Sequence, residues 1–373
     1  MKNIKRTRFL GLTLLAAGMA MPAVAQLSKP RIIEFDAPGA AGTTPYSISS
    51  TGAITGTYWD ASGVNHAFVR APDGAITDFD YPGATFTMAW AISPRGEITG
   101  LYGDPTVANW DHGFLRTRDG KFQTFDAPDA GNGTGCCGSL PSSNGPGQGT
   151  MGEAINQEGW IAGDYVDSNN IGHGFLRAPD GTITEFAVPG ANGYYGAWVD
   201  GAAGINWAGA ISGTYSEEPD YVGYGYVREP GGAITVFSVP GAGTGAFQGT
   251  NTSCINSEGM IVGNYVDPSG VNHGFLRSPR GQITTFDYPG AATGAGQGTV
   301  AYNINPRGDI VGSYFDVNSV AHGFERFVNG SYTSFDPPGA VYGTFPATNN
   351  PAGAVTGFYV DASGVVHGFL ILP

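Results

Sequence analysis

The stretch INSEGMIVGNYVDPSGVNHGFLRSPRGQITTFDYPG, residues 255–290, contains one complete copy of a repeated unit. Four short apolar segments, each suited to a β-strand, are separated by N-x-x-G, D-x-S-G and P-x-G sequences. Asp and Asn side chains accept hydrogen bonds from nearby backbone N–H groups and Gly tolerates positive φ, so these sequences predict hairpin turns. The unit therefore predicts a small antiparallel sheet of four strands.

The His-Gly-Phe triplet in this stretch shows how often the unit recurs. The triplet or a close variant begins at His66, His112, His173, His273, His322 and His367, and Tyr224 takes the same place in the remaining copy. Three further signatures keep the same period: F-D-x-P-G, I-N-x-x-G-x-I-x-G-x-Y, and an Asp two residues after that Tyr. Copies of four strands at a period of roughly 45 to 50 residues are typical of β-propeller blades.

The two ends of the repeat array predict how the ring closes. The array begins with a fourth strand, Arg31 to Asp36, and ends with a third strand, His367 to Leu372. Pairing of these segments would complete the last blade and remove an exposed sheet edge. We therefore predict an all-β fold, a seven-bladed β-propeller forming a single domain over residues 26–373. An open β-solenoid is the alternative.

The unit resembles the HAF repeat of exported bacterial proteins, which is named for a His-Ala-Phe triplet. The segment His66-Ala67-Phe68 matches that triplet literally, and most other copies read His-Gly-Phe. The resemblance covers nearly all of residues 31–373. It implies a propeller-like architecture and export, and it carries over no catalytic residues.

The N-terminal segment, residues 1–25, is typical of a secretory signal peptide. A basic head precedes an apolar run and the small residues Ala23-Val24-Ala25. Four basic residues and no acidic ones leave with it, so the formal charge falls from −14 to −18 in the mature chain. We expect an exported protein, periplasmic or extracellular, without a membrane span. Its negative charge disfavours nucleic acid and anionic membrane surfaces as partners.

The repeat also indicates which residues are structural. A catalytic base or metal ligand occurs once per site, whereas these histidines recur once per blade at one strand position. We interpret the histidines and the repeated Asp residues as structural, and we predict no metal site and no cofactor. The cysteines Cys136, Cys137 and Cys254 are too few for a disulfide scaffold, and their pairing is left open.

Function is expected where the copies differ. The residue two places before the shared Ile of I-N varies widely: it is Tyr46, Trp90, Glu153, Ala203, Ser253, Tyr302 and Ala347 in the seven copies. Five places before that Ile, six copies have Thr and only Asp200 departs; the Thr residues are Thr43, Thr87, Thr150, Thr250, Thr299 and Thr344. Because first strands line the axis of a propeller, this mixture predicts a binding site at one rim.

The loops that lead into the first strands vary as well. One carries an insert of roughly residues 129–149, and another reads NGYYGAW, which offers Tyr195 and Trp198 as aromatic contacts. The predicted ligand-binding residues are Tyr46, Trp90, Glu153, Tyr195, Trp198, Asp200 and Tyr302. Flat rings beside a carboxylate suit a glycan, because the sugar stacks and the acid accepts its hydroxyl groups.

Three functions fit these observations. The favoured one is an exported non-enzymatic propeller that binds a glycan or an exported protein at the rim. The first alternative is a carbohydrate-active enzyme, a hydrolase or lyase, using Glu153 and Asp200 as a carboxylate pair. The second is a structural envelope or matrix protein. The common nucleophile, zinc-protease and nucleotide-binding motifs are absent from the sequence, and the oligomeric state is left open.

Overall fold

The computed structural model describes residues 31–107, 110–133, 148–192 and 196–373. The predicted signal peptide, most of the insert at 129–149, Cys136, Cys137 and Tyr195 lie outside these residues. The described ranges contain 28 β-strands and no α-helix. None of their segments forms a helix of the length and apolarity that a membrane crossing requires.

The strands form seven blades of four antiparallel strands. Each blade consists of consecutive strands except the last, which includes the first strand of the chain. Blades 1 and 2 consist of β2 (Gly42–Ile48), β3 (Ile54–Trp59), β4 (Asn65–Arg70) and β5 (Ile76–Phe79), then β6 (Thr87–Ile92), β7 (Ile98–Gly103), β8 (Trp110–Arg116) and β9 (Phe122–Phe125). Blades 3 and 4 consist of β10 (Gln148–Ile155), β11 (Ile161–Val166), β12 (Gly172–Arg177) and β13 (Ile183–Phe186), then β14 (Ala197–Val199), β15 (Ile211–Glu217), β16 (Val222–Arg228) and β17 (Ile234–Phe237).

Blades 5 and 6 consist of β18 (Gly249–Ile255), β19 (Ile261–Val266), β20 (Asn272–Arg277) and β21 (Ile283–Phe286), then β22 (Thr299–Ile304), β23 (Ile310–Phe315), β24 (Ala321–Arg326) and β25 (Tyr332–Phe335). Blade 7 consists of β26 (Gly343–Asn349), β27 (Val355–Val360), β28 (Val366–Leu372) and β1 (Arg31–Phe35). Short parallel bridges, such as Ala321 with Gly343, join some neighbouring blades.

The ring closes where the two ends of the array meet. Strand β1 pairs antiparallel with β28 in a register that runs from Arg31 opposite Leu372 to Phe35 opposite Gly368. Strand β2 of blade 1 packs against β26, β27 and β28 of blade 7. The seven-bladed propeller with a composite last blade is therefore confirmed, and the open solenoid is excluded.

Neighbouring blades are held together by the Phe residues of the repeat. The Phe of each His-Gly-Phe triplet is fully buried, as is Tyr226 in blade 4. In five of the seven blades its ring contacts the Phe that ends the preceding blade, as Phe275 does with Phe237 at 6.1 Å between centroids. The guanidinium of Arg277 lies 4.8 Å from the centroid of the same Phe237 ring. Loss of one such buried ring would cost about 3 to 5 kcal/mol of stability.

The repeated histidines are clamped within their own blades. In blade 5, Nδ1 of His273 lies 3.0 Å from both carboxylate oxygens of Asp287, and the ring stacks on Tyr265 at 4.9 Å. Asp267, on the other side, lies 3.7 Å from Nε2 and accepts two backbone N–H groups of its own turn. A Cβ atom at Gly274 would lie 2.5 Å from the Phe286 ring, which explains the glycine that follows His273. These contacts agree with the structural interpretation of the histidines.

The Asn of the I-N signature links neighbouring blades. Its Oδ1 accepts two backbone N–H groups of the following turn, and its Nδ2 donates to the backbone carbonyl of the equivalent residue in the next blade. These inter-blade bonds run from Asn156 to Asn206, Asn256 to Asn305, Asn305 to Asn350 and Asn350 to Ser49. The last of them crosses the closure between blades 7 and 1.

We predict that Asn350→Ala lowers the free energy of unfolding by about 2 kcal/mol, because it leaves buried turn N–H groups and the Ser49 carbonyl without their partner. Asn350→Ser should cost less, since Ser93 caps the same turn in blade 2. Urea unfolding measures both, with the exposed Asn318→Ala as control. Equal stability of Asn350→Ala and Asn318→Ala would contradict the inter-blade role.

Candidate functional site

The innermost strands share one irregularity that determines what faces the axis. In six of the seven blades the pairing of the first two strands skips one residue, which forms a β-bulge. The skipped residues are Tyr46, Trp90, Glu153, Ser253, Tyr302 and Ala347. A bulge removes a residue from the ladder and redirects its side chain. The variable position found in the sequence is therefore the bulge position of the fold.

Blade 4 departs from this pattern, and the sequence repeat assigned Asp200 and Ala203 to the wrong positions of its first strand. Ala197 pairs with Tyr215 as Thr150 pairs with Tyr165, so Ala197 holds the place of the repeated Thr. Eight residues separate Ala197 from Ile205, whereas five separate Thr150 from Ile155. Because of these three additional residues, positions counted back from Ile205 do not match the positions counted back from the shared Ile in the other blades. Asp200, rather than Ala203, follows the last paired residue, Val199, and so occupies the bulge position.

The six repeated Thr residues do not line the axial site. All six are fully buried. Five of them accept a hydrogen bond from the backbone of the F-D-x-P-G loop or its equivalent, as Thr299 does from the Tyr288 N–H at 2.9 Å. The sixth, Thr344, donates to Asp336. These hydroxyl groups are structural, because they hold the loop that leads into the first strand.

An axial cavity of about 500 Å³ lies where the first strands begin. Its large side chains come from blades 1, 2, 6 and 7, and Glu153 of blade 3 completes the wall. The large lining residues are Tyr46, Met88, Trp90, Tyr302, Phe345 and Phe358. Four of the predicted site residues, Tyr46, Trp90, Glu153 and Tyr302, thus meet in one cavity.

Three further residues, Met88, Phe345 and Phe358, were not predicted from the sequence, and they complete the apolar lining. Phe345 and Phe358 face each other across β26 and β27, with ring centroids 5.0 Å apart. Phe358 precedes the Tyr of I-x-G-x-Y, and that position also varies among blades: Thr57, Leu101, Asp164, Thr214, Asn264, Ser313 and Phe358. Comparing this second column of the repeat would have found it.

Glu153 is the charged group of the cavity wall. Its side chain is 8% exposed, and within the described residues no hydrogen-bond donor reaches its carboxyl group. Burial, and then the nearby Asp164 and Asp200 carboxyl groups, hold the pKa of Glu153 well above its usual range. The carboxyl group of Glu153 therefore favours the neutral form over a wider pH range than an exposed glutamate does.

Asp164 and Asp200 lie behind the cavity wall and do not line it. Asp200 is 6% exposed and accepts hydrogen bonds from Ser212 and Thr252. Burial raises the pKa of Asp200 to about 7, although these two hydrogen bonds oppose the rise. Burial likewise raises the pKa of Asp164, and its Oδ1 accepts from the Val199 N–H while its Oδ2 has no partner. Asp200 therefore serves as a buried link between blades 4 and 5.

A second cleft, of about 350 Å³, lies between blades 4 and 5 and contains Trp198. Tyr221 and Phe247 form part of its wall, with rings stacked 5.6 Å apart. Both residues have positive φ, 52° and 59°, which is rare for bulky side chains and occurs mainly where structure or function requires it. Phe247 is 72% exposed. Trp198 thus belongs to this cleft and not to the axial cavity.

Metal ligands are not grouped in the described ranges: no three His, Cys, Asp or Glu residues there are placed to hold an ion. Cys254 is buried and free, and burial raises the pKa of its thiol to about 12. Its Sγ accepts a hydrogen bond from the Asn303 amide at 3.3 Å. Cys254 is therefore a packing residue of blade 5.

No protein-family model and no curated protein matches the sequence. Among solved structures, virginiamycin B lyase from Staphylococcus aureus has a TM-score of 0.54 at 17% identity, over 92% of this chain and all of that one. A streptogramin B lyase has a TM-score of 0.56 at 16% identity, over 92% of this chain and 98% of that one. The BP39L lectin from Burkholderia pseudomallei has 0.54 at 9% identity, over 89% and 96%. These similarities establish the β-propeller fold.

We predict that the free energy of unfolding falls as pH rises from about 4 to about 8. The raised pKa of Asp200 means that the folded chain retains a proton which the unfolded chain has lost above about pH 4. This stabilisation is complete at low pH and disappears as pH passes the folded pKa. Asp200→Asn should reduce the slope of the free energy of unfolding against pH by up to about 1.4 kcal/mol per pH unit.

Urea unfolding at a series of pH values measures this effect. Asp220→Asn is the matched control, because the Asp220 side chain is exposed. Parallel curves for the wild type and Asp200→Asn would refute the assignment. Glu153 and Asp164 act in the same direction, so Asp200→Asn should leave part of the dependence.

Proposed function

We propose that this chain is an exported, non-catalytic binding propeller that holds a small organic molecule in the axial cavity. The observation that carries the proposal is the cavity itself: aromatic walls contributed by four blades and one carboxyl group at its side. Its size of about 500 Å³ falls within the range of about 300 to 1,000 Å³ that is typical of small-molecule sites. Such walls favour a ligand with an apolar or flat body.

The arrangement of the carboxyl groups favours binding over glycan cleavage. A glycosidase needs two carboxyl groups that flank the scissile bond. Glu153 lines the cavity, but Asp200 lies behind it and is occupied by the Ser212 and Thr252 hydroxyl groups. A single accessible carboxyl group supports ligand recognition better than it supports the predicted acid pair.

The binding test uses 3-tert-butylphenol, a small neutral molecule with an apolar body and a soluble phenol. Calorimetric titration should detect binding to the wild type, and Trp90→Ala and Phe358→Ala should each weaken it about tenfold, because each removes one aromatic wall. Trp207→Ala is the matched control, since Trp207 is 53% exposed and lies outside this cavity. Thermal unfolding confirms that each variant is folded.

Two outcomes would contradict the proposed site. One is an affinity of folded Trp90→Ala and Phe358→Ala for 3-tert-butylphenol equal to that of the wild type. The other is that neither this probe nor a positively charged molecule of the same shape binds to the wild type.

A second candidate function is carbohydrate binding at the cleft between blades 4 and 5. The exposed Phe247 ring, stacked on Tyr221, offers the flat apolar face on which sugars pack. Asn251 and Gln248 add amide groups to the same cleft. The BP39L propeller of similar fold is a lectin, which is consistent with a glycan ligand on such a scaffold.

A glycan array distinguishes the two locations. We expect Phe247→Ala to abolish a specific glycan signal and Trp90→Ala to preserve it. The opposite pattern would move glycan binding to the axial cavity. Absence of a signal with folded wild-type protein would remove the carbohydrate candidate.

A further inference from the structure

Among the described residues, no positively charged side chain lies beside Glu153 in the axial cavity, because the described lining contains no Lys, Arg or His. Glu153 is 8% exposed as a residue, and no described residue donates a hydrogen bond to its carboxyl group. Asp200, by comparison, receives two hydroxyl donors although it is buried to a similar degree. A buried carboxyl group without donors is costly when ionised, unless a partner arrives from outside.

The other titratable groups around Glu153 are acids and phenols. Asp164 of β11 and Asp200 beyond β14 act on it through space, and Tyr46 of β2 and Tyr302 of β22 share its cavity. Burial, and then the charge of Glu153, raise the pKa of Tyr46 to about 12. The phenols therefore stay neutral, and any charge that these groups bring to the cavity is negative.

The walls add a second attraction for positive charge. The face of an aromatic ring carries a negative quadrupole, and rings arranged around a site bind ammonium groups through cation–π contacts. Trp90, Tyr46, Tyr302, Phe345 and Phe358 supply such rings in one cavity. The chain as a whole has a formal charge of −14, which raises the local concentration of cations.

Resting on the proposed binding function of this cavity, we propose that its ligand is an organic cation: an ammonium or quaternary ammonium group on an apolar body. The positive group lies against the Glu153 carboxylate and the aromatic faces, and the apolar body fills the remaining space. A neutral or anionic molecule of the same shape lacks the first of these attractions.

Binding then couples to a proton. In the empty cavity, burial and the two neighbouring acids favour the protonated carboxyl group of Glu153. Arrival of the cation favours the carboxylate, so one proton leaves Glu153 for solvent as the ion pair forms. Affinity for the cation therefore rises with pH until Glu153 is already ionised in the free protein.

The experiment compares two molecules of one shape. The probes are 3-hydroxyphenyltrimethylammonium and its neutral isostere 3-tert-butylphenol, titrated calorimetrically into the wild type, Glu153→Gln and the control Glu258→Gln. Glu258 is an exposed glutamate of a turn in blade 5. We expect the wild type and Glu258→Gln to prefer the cation at least about tenfold. Glu153→Gln should lose most of this preference, because only the cation–π contacts with the rings remain, and it should keep its affinity for the neutral probe.

Calorimetric titration in buffers of different ionisation enthalpy measures how many protons are released when the cation binds. Up to one proton should be released per cation bound to the wild type, and none in Glu153→Gln. Cation affinity of the wild type should rise as pH rises above the usual pKa of a glutamate, because the pKa of Glu153 in the empty cavity lies well above it. This measurement needs no variant, so it tests the inference even if Glu153→Gln does not fold.

The outcomes separate this inference from the proposed function. Binding of the neutral probe as tightly as the cation to the wild type would overturn the cation inference and leave the binding function intact. A cation preference of folded Glu153→Gln as large as that of the wild type, or a cation affinity independent of pH, would also overturn it. Failure of both probes to bind the wild type would refute the binding function itself.

Discussion

The structure depends on the burial of one face of each blade against the next. A four-stranded sheet of this size cannot cover its own apolar faces. Here the aromatic residue of each third strand is fully buried, and in five blades its ring contacts the Phe that ends the preceding blade. The faces of seven blades have to be covered, and covering the seventh requires the chain to meet its own beginning. Pairing of β1 with β28 meets that requirement, and it also covers the edge of β28 that would otherwise be exposed.

Closure of the ring explains why the repeat separates structural from variable positions. The clamped histidines, the buried Thr hydroxyl groups and the linking Asn side chains each satisfy the same local need in most blades. The bulge residue is removed from the strand ladder, so strand pairing does not restrict its chemistry. That freedom lets Tyr46, Trp90, Glu153 and Tyr302 differ completely while the scaffold around them is unchanged.

The arrangement of the inner strands determines which side chains line the axial cavity. Inner strands converge at the axis, so single residues from distant parts of the chain become neighbours, and five of the seven blades place a large or charged side chain there. Glu153 then lies among rings and near two further acids, without a donor. An aromatic enclosure with an unsatisfied carboxyl group is suited to recognition of a ligand rather than to acid–base chemistry by a pair of acids.

The sequence by itself determined the propeller, the number of blades, the composite last blade and four residues of the cavity. It could do so because the period, the turn signatures and the strand order are local or simply repetitive features. Asp200 was placed wrongly, because a three-residue insertion in blade 4 is invisible when positions are counted from Ile205. Only the tertiary structure shows that Phe345 and Phe358 line the same cavity as Tyr46 and that Trp198 lines a separate cleft. It also shows that no described residue donates a hydrogen bond to the Glu153 carboxyl group. Those properties arise from contacts across blades, and such contacts depend on register and bulges that no single repeat encodes.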